Sequence, residues 1–161
     1  MPVMTPETGP IIDQPGGNLA LDVFVLDQHL GALLDLALHG TGITPAQYAV
    51  YSQVARGTTS PGQLVDVLGL RPATLSGYLT VMEDRGHLSR TRDAADRRSH
   101  RVELTVAGQA ARDACRTRFR RAVSALDSEL GGAEDVRALR LALGRLDAAV
   151  LAATTRLQGR A

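Results

Sequence analysis

Apolar residues recur at helical spacing from residue 19 to residue 38, with Leu19, Val23, Leu26, Leu30, Leu33 and Leu34 on one face of a single helix. Asn18 stands where an N-cap belongs, and Gly40-Thr41-Gly42 ends the run. Thr44-Pro45 then joins a capping hydroxyl to a proline at the first helical position, which predicts a second helix to about Arg56 with Tyr48, Tyr51 and Val54 on one side. Ser60-Pro61 repeats that signal for a short helix through Leu64, Val65 and Val67 to Leu68. Gly69 supplies a tight turn, and Arg71-Pro72 opens a further helix that runs to Arg85 and stops at Gly86. The pattern then changes to alternation: residues 88–92 and 100–104 predict two short strands around a polar loop. Thr105 caps a long helix to about Leu130, Gly131-Gly132 breaks it, and a last helix runs from about Ala133 to Leu157.

The order helix, tight turn, helix, hairpin is that of a winged helix-turn-helix. The predicted fold is mainly α (an α+β winged helix), with six helices and a two-stranded β-hairpin wing. Residues 1–17, rich in proline and glycine, read as a disordered tail. Residues 18–44 read as an N-terminal dimerisation helix, 45–104 as the winged lobe, and 105–161 as C-terminal dimerisation helices. The last helix carries Leu139, Leu143, Leu146, Val150, Ala153 and Leu157 in heptad-like steps, and the one before it carries Cys115, Phe119, Val123, Leu126 and Leu130. Together with the first helix, this is more apolar surface than a small middle can cover, so a homodimer is expected.

In the second helix of the helix-turn-helix pair, Leu75, Tyr78, Leu79 and Met82 must face the core. That turns Ala73, Gly77 and Thr80 outward, with Thr74, Ser76 and Val81 on the flanks. Small side chains let a helix approach base edges, and Ser or Thr hydroxyls can donate or accept there.

Charge sharpens this picture. All 18 basic residues are arginines, a residue suited to phosphate. Eleven of them lie between Arg85 and Arg121 against four acids, although the whole chain is formally only +1. A basic segment in a near-neutral protein points to a polyanionic partner. The stretch Leu19–Leu38 is broken by Asp22, Asp27, Gln28, His29 and Asp35, so no membrane partner is expected. No secretory signal is visible, and the single cysteine, Cys115, excludes an intrachain disulfide; both fit a cytoplasmic setting. His29, His39, His87 and His100 show no ligand spacing, so neither metal nor other cofactor is expected. No nucleophile with its base, and no paired acids, stand in a recognisable arrangement, which argues against an enzyme.

The wing carries the most specific motif. "DRRSHRVELTVAG" places Asp96, Arg98, Val102, Leu104, Thr105 and Gly108 at the spacings of Asp-x-Arg-x-x-x-Val-x-Leu-Thr-x-x-Gly, and "DRGHLSR" places Gly86, Leu88 and Arg90 ahead of it. These residues resemble the multiple-antibiotic-resistance-regulator (MarR) family of bacterial transcription factors, as does the "TPAQYAVY" entry to the second helix. The resemblance implies a homodimeric regulator, commonly a repressor, that binds a pseudo-palindromic operator in double-stranded DNA. It implies that Arg98 enters the minor groove and that Asp96 orders it. A narrow groove concentrates negative potential, and a guanidinium is long, flat and permanently charged. Arg97 is then placed to meet a phosphate, with Arg71, Arg85 and Arg90 adding phosphate contacts. Many relatives carry a Lys or Arg near Thr80 and Val81; this chain does not, which shifts the electrostatic burden to the wing.

The resemblance further implies a small aromatic or phenolic effector held between the dimerisation helices and the winged lobe. Tyr48, Tyr51, His29 and Arg112 are the candidate effector-binding residues, although both tyrosines also fit the core. Two alternatives stay open: a winged module used only for protein contact, and oxidant sensing through Cys115, whose place on an apolar stripe suits an inert buried thiol.

Overall fold

The computed structural model describes residues 12–92 and 100–160. Six helices and one hairpin follow in the predicted order: α1 (Leu19–Leu38), α2 (Pro45–Ala55), α3 (Pro61–Leu68), α4 (Pro72–Asp84), β1 (Leu88–Arg92), β2 (His100–Leu104), α5 (Val106–Glu129) and α6 (Ala133–Gln158).

Local chemistry fixes the helix starts. The Asn18 side chain accepts from the Leu21 N–H at 3.1 Å and caps α1. Thr44 and Gln47 form a reciprocal capping box on α2, each side chain accepting from the other's backbone N–H at 3.2 Å. Proline occupies the first turn of α2, α3 and α4, where its missing N–H leaves no bond unmade. Between α3 and α4 the chain reverses at Gly69, whose φ of 62° is left-handed and favours a residue without Cβ.

The chain divides into two compact units, one ending at Phe119 and the other beginning at Arg120. The first holds the core, in which Val50, Tyr51, Leu64, Met82, Val102 and Cys115 are fully buried and Leu38, Ile43, Leu75, Leu79 and Leu88 nearly so. The strands pair antiparallel with Leu88 opposite Leu104, Arg90 opposite Val102 and Arg92 opposite His100. β2 is also gripped from outside the hairpin, where the Val102 N–H donates to the Thr59 carbonyl at 2.9 Å. In the second unit α6 has no buried residue, and Leu139, Leu143, Val150 and Leu157 are all about half exposed or more. On α1, Leu19, Phe24, Leu26 and Leu30 are likewise exposed. Among the described residues no helix is long and apolar enough to cross a membrane.

The start of α5 is tied to the end of α4. The Thr105 hydroxyl donates to the Gly86 carbonyl at 2.7 Å and accepts from the Gly108 N–H at 3.1 Å, while the Thr105 N–H donates to the His87 carbonyl at 3.1 Å. Gly108 is buried, and a Cβ built there would collide with the His87 carbonyl oxygen. Gly77, in the middle of α4, has open space where its Cβ would be. Alanine at these two sites is therefore expected to act in opposite directions in urea unfolding. Gly108→Ala should destabilise by about 1–3 kcal/mol through overpacking. Gly77→Ala should stabilise by up to about 1 kcal/mol, the helix-propensity difference.

Candidate nucleic-acid interface

α4 presents two unlike faces. Leu75, Leu79 and Met82 are buried and Tyr78 packs partly against them. Ala73, Thr74, Ser76, Gly77 and Thr80 are exposed, as the helical spacing predicts, and Val81 is half-buried. The Thr80 hydroxyl donates to the Ser76 carbonyl at 3.0 Å, so it faces outward as an acceptor. The exposed strip thus offers hydroxyl oxygens and almost no bulk, which suits close approach to a base edge.

Positive charge frames this strip. Arg71 precedes α4 and is exposed. Arg85 follows it, and Arg90 lies on β1, where its guanidinium pairs with Glu83 at 2.6 Å. This ion pair joins the end of α4 to the wing. It was not anticipated from the sequence, and it leaves Arg90 with part of its charge already answered. The wing-tip candidates Asp96, Arg97 and Arg98 lie outside the described residues.

A cavity of about 440 Å³ opens beside the α1–α2 turn, lined by residues 40–43 and by Arg85, His87, Ala111, Ala114 and Arg118. Its polar lining is cationic. Arg118 is held by donating from Nη1 to the His39 carbonyl at 2.7 Å. His87 is held by a 2.7 Å hydrogen bond between its Nδ1 and the Tyr51 hydroxyl. These lining residues come from three separate stretches of the chain, which is why sequence reasoning missed Thr41, His87 and Arg118.

The four effector candidates from the sequence are not among the lining residues. Tyr48 is buried with its ring centroid 5.0 Å from that of Phe119, and Tyr51 is buried behind His87. His29 is exposed on α1. Arg112 bonds to its neighbour Asp113, and its buried Nε has no partner among the described residues. A second hollow, of about 600 Å³, lies within the other unit between Ser124, Asp127, Ser128, Arg137 and Arg140 and their neighbours, with acid and base mixed. Among the described residues no cluster of His, Cys, Asp or Glu could hold a metal ion.

Residues 41–99 match the family model described as MarR family. The fold is similar to that of a probable transcriptional regulator from Pseudomonas aeruginosa, at a TM-score of 0.72 and 25% identity over 81% of this chain and 98% of that one. Over α2, α3, α4 and β1 the chain resembles the MarR family. It is also similar to a cysteine variant of MarR from E. coli complexed with operator DNA (TM-score 0.72, 25% identity, 80% and 92% of the two chains). A third likeness is to the M. tuberculosis regulator MosR in complex with DNA (TM-score 0.70, 25% identity, 83% and 98%). No curated protein matches the sequence.

Cys115 is fully buried, and burial pushes its thiol pKa up against the opposing influence of Thr41 and Arg118. Burial likewise raises Tyr51, opposed by Arg85. Both groups are neutral when protonated, so folding favours their protonated forms. The stability they lend is complete below the ordinary thiol and phenol ranges, about 8.5 and 10, and is lost as pH rises through the higher folded values. The melting temperature should therefore fall above about pH 9. At pH 8, iodoacetamide should alkylate native Cys115 far more slowly than the same thiol in urea.

Proposed function

We propose that the chain is a sequence-specific, duplex-DNA-binding transcriptional regulator that acts as a homodimer in the cytoplasm, without catalytic activity. One observation carries the reading: a rigidly supported helix, α4, exposes a strip of small, hydroxyl-bearing side chains beside the base of a wing whose tip holds Asp96, Arg97 and Arg98. The DNA complexes of the similar E. coli and M. tuberculosis proteins support it. In this reading Ala73, Thr74, Ser76, Gly77 and Thr80 meet base edges, while Arg71 and Arg90 meet phosphates. Arg98, ordered by Asp96, enters the minor groove. The exposed apolar faces of α1 and α6 supply the dimer contact. Two α4 helices about 34 Å apart would read half-sites one turn of duplex apart.

The cationic cavity favours repression relieved by a small anion. Arg85, His87 and Arg118 can hold a carboxylate or phenolate. The cavity shares Arg85 with the end of α4 and His87 with the base of the wing, so its occupancy bears on both DNA-reading elements. Of the four residues first assigned to the effector, Tyr51 then acts behind the cavity through its bond to His87, and the other three do not line it.

Selection from a random duplex library should return a pseudo-palindrome, and recovery of no common sequence would end the reading. If six to ten phosphates are engaged, affinity should fall by about 10³–10⁵ between 50 and 200 mM salt. Arg98→Ala should abolish tight operator binding in gel shifts while leaving the fold intact. Aromatic carboxylates should raise the melting temperature and weaken operator binding in the wild type. Arg118→Gln should lose both responses, and retention of both would remove the cavity from the proposal.

A further inference from the structure

Arg101, on β2, has no part in the interface described above. Its neighbour Val102 is fully buried, so strand alternation turns Arg101 to the outer face of the hairpin, where it is exposed. Thr59, in the turn before α3, grips this point of the strand twice. Its carbonyl accepts from the Val102 N–H at 2.9 Å, and its hydroxyl oxygen accepts from the Arg101 Nε at 3.2 Å. A guanidinium fixed through Nε keeps both terminal nitrogens available, and among the described residues neither has a partner. An exposed arginine normally samples many rotamers; one held at its middle presents a planar donor pair matched to phosphate oxygens. Arg101 also lies three residues from Arg98 in the sequence, on the strand that follows the wing tip. A side chain so placed reaches a sugar–phosphate rail flanking the groove that receives the wing tip.

We infer that Arg101 contacts a backbone phosphate of the bound duplex and that Thr59 positions its guanidinium for that contact. The inference rests on the DNA-binding reading, and the experiment separates the two. Fluorescence anisotropy is measured with the selected duplex and with an unrelated one, across a salt series, for the wild type, Arg101→Ala, Arg101→Lys and Thr59→Val. Thermal melts check folding; both side chains lie outside the core, and the Val102–Thr59 backbone bond survives every substitution.

Arg101→Ala should weaken both duplexes by a similar factor, roughly tenfold, because a phosphate carries no sequence information. Its slope of log affinity against log salt should shrink by about 0.9, one phosphate's worth of released counterions. Arg101→Lys should restore that slope. Thr59→Val keeps every charge, so it should lose affinity severalfold with the slope unchanged. An Arg101→Ala slope equal to the wild type's would overturn the phosphate contact, and wild-type affinity in Thr59→Val would overturn the positioning role. A wild type that binds no duplex at any salt would instead remove the DNA-binding reading itself.

Discussion

One hydroxyl holds the winged lobe together at its busiest point. Thr105 caps α5 through its side chain, donates the same hydroxyl to the Gly86 carbonyl at the end of α4, and donates its N–H to the His87 carbonyl. The end of α4, the residue before β1 and the start of α5 therefore meet on three hydrogen bonds centred on one residue. The approach is close enough that Gly108, one turn into α5, cannot carry a Cβ. Carbonyls left over beyond a helix end need donors, and here the cap of the following helix supplies them. The Leu-Thr-x-x-Gly part of the wing motif is thus a joint: leucine fills the core side of β2, threonine binds, and glycine permits the contact.

The joint matters because groove reading tolerates little slack. A helix that approaches bases through small side chains gains nothing from long flexible reach, so its own placement must be exact to a fraction of an ångström. α4 is fixed by its buried leucines and Met82, by the Thr105 joint at its end, and by the Glu83–Arg90 ion pair that links it to β1. β2 is fixed by the hairpin and by Thr59. The strands of the wing and α4 consequently form one body, and under the proposed function the affinity left unsupplied by the uncharged middle of α4 comes from arginines on the periphery.

The elements were legible in the sequence because their ends are written in local chemistry. Proline at the first turn, Thr or Asn at the cap, and glycine at the reversals each act over a few residues. The outward face of α4 was equally legible, since three apolar anchors at helical spacing fix the rotation of the whole helix. Contacts between distant segments were not. Arg118 reaching the His39 carbonyl, Tyr51 meeting His87, and Thr59 meeting Arg101 span 79, 36 and 42 residues, and no periodicity encodes them. Arg90 shows the limit at short range. Glu83 was visible seven residues upstream, yet their pairing depends on the angle between a helix and a strand. The tyrosines, given as effector candidates that also fit the core, are buried, and the cavity behind which Tyr51 sits could not be seen, since its walls come from three separate stretches.

How a ligand could act through that cavity is constrained by linkage. A ligand shifts an equilibrium only by its different affinity for the two states, so an anion bound equally well in the DNA-ready and DNA-released forms would do nothing. The cavity has the parts for a difference. Arg85 caps the end of α4, His87 immediately precedes β1, and the His87 carbonyl is an acceptor in the Thr105 joint. An anion drawing these two side chains toward Arg118 pulls on the joint itself, while DNA holds α4 and the wing in the spacing that the joint enforces. Under the proposed function, both partners are anions that bear on one short segment, residues 85–87, and reciprocity then requires that operator DNA weaken the anion as much as the anion weakens the operator.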